Sequence, residues 1–401
     1  MWIDRDLRPV LATLAAQRPA VLLTGARQAG KTSLLERAFP DHRYVSLDLP
    51  SVAEEAEQDG SAFLARHSTP LIIDEVQYAP RIFRYLKSAI DEQRDRNGQY
   101  LLTGSQKFSL MQGVTESLAG RVAIVELHSL ALTEIERATG EAADGRTFWR
   151  WLFQGGYPEI HARGLDAQRF YADYVAAYLE RDVRQILNVR NLRDFDRFLR
   201  LCAIRTGQML SMSSLASDTG VSPNTVRSWL SILQASNIVF LLEPYYRNLG
   251  KRLVKAPKLY LLDTGLACFL AGFRSPEDLE GSALRGALFE TQVLAQIVRW
   301  YANRGKPPNV FFFRDHSGIE VDFVIPIGER LKLIEAKVSE TPDPNPKGFV
   351  DLSRALGPAG VLSRTIVTPR RGRRATSEGT TIEDCVDLGV MGQGEPRSAS
   401  S

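Results

Sequence analysis

An apolar run, Ala20-Val21-Leu22-Leu23, leads into Gly25-Ala26-Arg27-Gln28-Ala29-Gly30-Lys31-Thr32, and a helical pattern from Ser33 to Ala38 follows. The spacing is G-x-x-x-x-G-K-T between a buried strand and a helix, the setting of a phosphate-binding loop. Its glycines let consecutive backbone N–H groups curl around β- and γ-phosphates. Lys31 adds a point charge, and the Thr32 hydroxyl can ligate Mg²⁺. The helix start turns its positive dipole end to the same anion. The expected nucleotide-binding residues are Gly25, Ala26, Arg27, Gln28, Ala29, Gly30, Lys31, Thr32 and Ser33.

Pro70-Leu71-Ile72-Ile73-Asp74-Glu75 is a short apolar run ending in two carboxylates. Such a run reads as a buried parallel strand whose last residues emerge at its C-terminal edge. Phosphate loops open at that edge, so Asp74 can reach the Mg²⁺ held by Thr32. Glu75 then sits beside the γ-phosphate, where a carboxylate orients and deprotonates water. The loop alone suggests binding; the pair suggests hydrolysis. A third strand, Tyr100 to Ser105, ends in small hydroxyl residues suited to sensing the γ-phosphate, with Ser105 and Thr103 as candidates. Ser117-Leu118-Ala119-Gly120-Arg121 precedes another apolar strand, Val122 to Val125. Arg121 either stabilises phosphoryl charge, in cis or across a subunit interface, or is a plain surface charge. The expected catalytic set is Lys31, Glu75, Ser105 and Arg121, with Thr32 and Asp74 on the metal.

The set GARQAGKT, LIIDE, LLTGS and SLAGR resembles the prokaryotic AAA-type ATPases that carry an associated C-terminal domain of unassigned function. The resemblance runs over nearly the whole chain, to the EAK segment ending at Lys337. It implies ATP as the nucleotide and an Asp-Glu Walker B pair.

With 401 residues the chain can form two or three domains. No stretch reaches the roughly 18 apolar residues of a membrane span, and no apolar segment after Met1 to Asp6 marks a signal peptide. Cys202, Cys268 and Cys385 are far apart and form no C-x-x-C. Together with the phosphate loop they point to a reducing cytoplasm and no structural zinc. His42, His67, His128, His161 and His316 form no ligand-spaced cluster. A net charge of +3 permits local basic patches without demanding nucleic acid.

Up to about residue 165, short apolar runs alternate with helical patterns, as in a doubly wound parallel sheet. Gln154-Gly155-Gly156-Tyr157-Pro158 is the first strong break. Phe170 to Leu201 reads as helix, carrying Glu180, Arg181, Asp182, Arg184 and Arg190. From Leu215 to Leu230 the pattern is helix, turn, helix, with Ser222 as N-cap and Pro223 at the first helical position. Strands Ile238 to Leu242 and Lys258 to Leu262 follow, joined by a basic turn with Arg247, Lys251, Arg252 and Lys255. This is a winged helix-turn-helix outline. Asn224, Thr225, Arg227 and Ser228 either face DNA or belong to a lid packed on the ATPase; Trp229 reads as core.

Further on, Glu290 lies in an amphipathic helix, and Val310 to Arg314, Glu320 to Ile325 and Leu331 to Lys337 read as consecutive strands. Alternation puts Glu335 and Lys337 on one face, with Asp322 opposite on the neighbouring strand. Such hard oxygens suit Mg²⁺ and phosphodiester hydrolysis. The order Glu290, Asp322, Glu335-x-Lys337 resembles the PD-(D/E)XK nuclease superfamily. Either the site is active or the fold is kept as scaffold. Arg370, Arg371, Arg373 and Arg374 either track a nucleic-acid backbone or form a solvated loop.

The expected fold class is α/β. A P-loop parallel sheet (residues 1–165) precedes a helical and winged helix-turn-helix domain (166–275), a restriction-endonuclease-like domain (280–390) and a disordered tail (391–401). ATP and Mg²⁺ are the expected ligands, with DNA or a protein as partner, and a homo-oligomer is the AAA habit.

Overall fold

In the computed structural model, which describes residues 1–105, 117–179, 192–245 and 255–392, the first apolar run forms β1 (Ala20–Thr24), buried throughout. β2 (Arg43–Ser46), β3 (Leu71–Asp74), β4 (Tyr100–Gly104) and β5 (Val122–Glu126) join it in a parallel sheet ordered β2-β3-β4-β1-β5. Because β4 inserts between β1 and β3, its C-terminal end separates the phosphate loop from the acid pair. Ligand sites of open parallel sheets form at such ends. Ala20 and Leu22 face one core with Ile73, Leu102, Phe83 and Leu86. Val21 and Leu23 face the other with Ile72, Leu101, Leu11 and Leu34. A strand covered on both faces needs apolar residues at every position, hence the unbroken run.

Chain contacts group Met1–Leu130, Ala235–Asn237 and Tyr301–Pro307 in one compact unit and the remaining segments in a second. In the second unit, helices Met212–Thr219 and Pro223–Ala235 flank a turn. Gly220 takes φ 84°, and the Ser222 hydroxyl accepts the Thr225 N–H at 3.1 Å. Trp229 is buried against Phe195 and Phe198 of helix Leu192–Ile204, at ring separations of 5.3 and 5.2 Å. β6 (Gln208–Met209), β7 (Val239–Leu242) and β8 (Lys258–Leu261) form an antiparallel sheet ordered β6-β8-β7. Arg247, Lys251 and Arg252 of the expected basic turn lie outside the described residues, as do Glu180, Arg181, Asp182, Arg184 and Arg190. The tail beyond Gly392 also lies outside them.

The Gly155-Gly156 break is a buried packing point. Asp263 accepts the Gly156 N–H at 2.9 Å and the Tyr171 hydroxyl at 2.6 Å, and it caps helix Thr264–Ala271. A Cβ on Gly265 would stand 2.5 Å from the Tyr171 hydroxyl oxygen, so the helix approaches this turn only through glycine.

Helix Arg285–Ala302 precedes β9 (Phe311–Arg314), β10 (Glu320–Ile327), β11 (Arg330–Ala336), β12 (Val361–Thr368), β13 (Arg373–Ala375) and β14 (Thr380–Asp384). Their mixed sheet is ordered β13-β14-β12-β11-β10-β9. β9, β10 and β11 are an antiparallel meander, and β12 and β14 run parallel to β11. Arg370, Arg373 and Arg374 of the arginine-rich segment are exposed, and Arg371 is half-buried. Arg371 pairs with Asp384 and Glu136 at 3.0 Å each, and Arg373 approaches Glu383 at 3.6 Å.

Candidate functional site

The phosphate loop leaves β1 through Gly25, whose φ is +146°. A Cβ there would stand 2.1 Å from the Leu127 carbonyl oxygen, so side chains are excluded twice over. Gln28 and Gly30 also have positive φ, at 60° and 91°. Ala26 and Ala29 are buried, Arg27 and Gln28 half-buried, and Ser33 exposed on helix Lys31–Ala38. The Lys31 ammonium is held over the loop, donating to the carbonyls of Gly25 at 3.1 Å and Ala26 at 3.0 Å. Buried Arg5 braces the outside of the loop, donating to the Ala29 carbonyl at 2.8 Å and the His128 carbonyl at 2.6 Å.

Asp74, at the end of β3, is the hub. Its carboxylate accepts the Thr32 hydroxyl at 2.8 Å, the Tyr44 hydroxyl at 3.0 Å and the Thr103 hydroxyl. Burial first, and the Asp74 charge second, push the Tyr44 phenol up to about 12, so it stays a donor. Thr103 also accepts the Glu75 N–H at 3.1 Å, so one hydroxyl spans both acids. Glu75 sits in the left-handed region at φ 52°, and its carboxylate accepts from Gln77 and, at 3.2 Å, from Ser105. Non-glycine residues held in this region recur at functional sites. The structure thus gathers Lys31, Thr32, Asp74, Glu75 and Ser105. A hydroxyl and a carboxylate are hard oxygen donors that fit Mg²⁺, and the missing side chain at Gly25 lets the loop pack against the Leu127 carbonyl.

Arg121 is not among them. It precedes β5, and its carbonyl accepts the Ala20 N–H, which places it at the N-terminal edge of the sheet. The loop opens at the other edge, five residues of β1 away. Its guanidinium makes a two-pronged pair with Asp91 at 2.7 and 2.8 Å, holding that carboxyl below its ordinary range. Phosphoryl stabilisation in cis is therefore closed to it. Its place just before an apolar strand left open a phosphoryl-stabilising role or a plain surface charge, and strand direction sends it to the end away from the loop.

The second constellation lies in the C-terminal sheet. Glu290 projects from helix Arg285–Ala302, Asp322 from β10 and Glu335 from β11, with Lys337 just beyond. Asp322 accepts the Ala336 N–H at 2.9 Å, and Lys337 pairs with Glu335 at 2.7 Å. Burial first and the Asp322 charge second push the Glu290 and Glu335 carboxyls above the ordinary carboxylate range. Three residues that the motif did not include complete the cluster. Lys258 of β8 donates to Glu290 at 2.9 Å and pairs with Glu320, and Tyr260 donates to Glu290. A lysine two positions before a tyrosine at the head of a buried strand was the available signal, since alternation puts both on one face. The four motif residues come together as expected, but they do not fit Mg²⁺. Glu290 Oε1, Asp322 Oδ2 and Glu335 Oε2 already face an ammonium, hydroxyl or N–H donor, and among the described residues no group of three or more His, Cys, Asp or Glu is arranged to hold a metal.

Residues 17–136 match a family described as an AAA domain. Residues 145–277 and 285–382 match two domains of unknown function, DUF8612 and DUF4143. Over 348 residues the chain is 32% identical to the uncharacterized protein Rv2008c of Mycobacterium tuberculosis, covering 84% of this chain and 74% of that protein. The uncharacterized protein Mb2031c of Mycobacterium bovis matches with the same values. Among solved structures, the Walker-type ATPase paby2304 of Pyrococcus abyssi is 18% identical, with a TM-score of 0.46 over 67% of this chain and 96% of that one.

Proposed function

Since the chain belongs to the family of AAA-domain proteins that includes Rv2008c and Mb2031c, with a P-loop AAA ATPase domain at its N-terminal end, we propose that it hydrolyses ATP with Mg²⁺ to drive its C-terminal module on nucleic acid. The observation that carries the ATPase reading is the Asp74 carboxylate, shared by the Thr32 and Thr103 hydroxyls beside Glu75. Thr32 and Asp74 would hold Mg²⁺, which when bound neutralises phosphate oxygens and orients the terminal phosphoryl group. Lys31 exchanges loop carbonyls for phosphate oxygens. Glu75 takes the proton of the attacking water, as the new oxygen–phosphorus bond forms and the bond to the ADP oxygen breaks. Ser105 and Gln77 aim that carboxylate.

The nucleic-acid part rests on the helix Pro223–Ala235, which exposes Asn224, Arg227 and Ser228 after a capped turn, as the second helix of a winged helix-turn-helix would. The division at 1–165, 166–275 and 280–390, a cytoplasmic location and a homo-oligomer belong to the same proposal. Cys202, Cys268 and Cys385, free and buried, agree with a reducing compartment. A second reading, a signalling or scaffold ATPase with a protein partner and a silent nuclease-like domain, is favoured by the ion pairing around Glu290 and Glu335.

Turnover measured with and without DNA and RNA, beside product gels, separates these readings. Lys31→Ala is expected to abolish turnover while keeping the fold. Glu75→Gln should bind ATP but slow kcat by about 10²- to 10⁴-fold, the usual worth of a general base. Parental turnover in Lys31→Ala would remove the site assignment.

A further inference from the structure

Lys258 is a buried cation of the acid cluster that no nuclease-like motif supplies. It comes from β8, and its side chain is 3% exposed. Its ammonium stands 2.9 Å from Glu290, pairs with Glu320 and lies 5.6 Å from the centre of the Phe312 ring. An ammonium taken out of water is tolerated only when partners replace its hydration. Here burial opposes its charge, and the neighbouring Glu290, Asp322 and Glu320 outweigh that opposition and raise its pKa.

The remaining acids are committed as well. Glu320 also pairs with Arg314 at 3.0 Å, Asp322 takes the Ala336 N–H, and Glu335 is held by Lys337. Against the carboxylates of Glu290, Glu320, Asp322 and Glu335 stand the cations of Lys258, Arg314 and Lys337. Mg²⁺ binds at about 2.0–2.1 Å from hard oxygens and favours surplus negative charge. It cannot share the oxygen that a buried ammonium already contacts.

We propose that Lys258 is the resident cation of this cluster: its ammonium takes the place of a divalent metal, bonding β8 to the nuclease-like helix and sheet and closing the site to metal. The lysine is a structural counter-ion here, and the phosphodiester chemistry expected from Glu290, Asp322, Glu335 and Lys337 is closed with it.

Mn²⁺ titrations by calorimetry on the nucleotide-free full chain test it. The parental chain and Asp322→Asn are expected to bind the same number of Mn²⁺ ions, because the cluster contributes none. Lys258→Met is expected to gain one equivalent, lost again in the Lys258→Met/Asp322→Asn double variant. One more Mn²⁺ bound by the parent than by Asp322→Asn overturns the proposal, and so does a folded Lys258→Met that gains none. Should Lys258→Met fail to fold, as judged by circular dichroism, the comparison of parent with Asp322→Asn decides alone.

Discussion

Gly25 meets two demands that no other residue satisfies together, a φ of +146° and a carbonyl oxygen 2.1 Å from where a Cβ would be. The backbone term alone is worth about 1–3 kcal/mol for a residue with a side chain. Gly25→Ala should lower the thermal midpoint and abolish binding of a fluorescent ATP analogue; unchanged affinity would contradict the cradle described for this turn. Single residues also mark where sequence reading stopped. Lys31, Thr32, Asp74 and Glu75 were identifiable because a local string carries their chemistry. Tyr44, Arg5 and Lys258 were not, because each acts on residues 24 or more positions away and sits in no motif. Arg121 was identifiable as a charge, yet its partner Asp91 was not.

At the scale of elements, the strands were the most readable part. β1 and β3 announced themselves as unbroken apolar runs, and β9, β10 and β11 by runs separated by polar turns. The arginine-rich segment read either as a nucleic-acid track or as a solvated loop; in the fold β13 pairs with β14 and brings Arg373 toward Glu383. Burial pushes Glu383 up to about 7, above its ordinary value of 4.5. The folded chain therefore keeps this proton between those values while the unfolded chain releases it. The stability contributed is complete below about pH 4.5 and is lost as pH rises through 7. Denaturant unfolding across this window should show stability falling with pH, and Glu383→Gln should flatten that fall. An unaltered slope in the variant would assign it to other groups.

For the molecule as a whole, a net charge of +3 gives no broad field to pull in a polyanion. Any DNA affinity must come from a local surface, and the exposed end of helix Pro223–Ala235 is the one proposed. Arg227→Ala should then reduce the slope of log affinity against log salt by about 1, while ATP turnover without DNA stays parental. An unchanged slope would move the contact elsewhere. Two kinds of information are divided cleanly in this protein. The order of residues was enough to specify the nucleotide loop, the acid pair and the strand pattern, because backbone freedom at glycine, period-two alternation and adjacent charges are local properties. Folding alone decided what those groups meet. Strand direction carried Arg121 away from the phosphate edge, and packing brought Lys258 into the acids of a distant sheet. Electrostatic energy depends on separation in space and on exclusion of water, and neither can be read from separation along the chain.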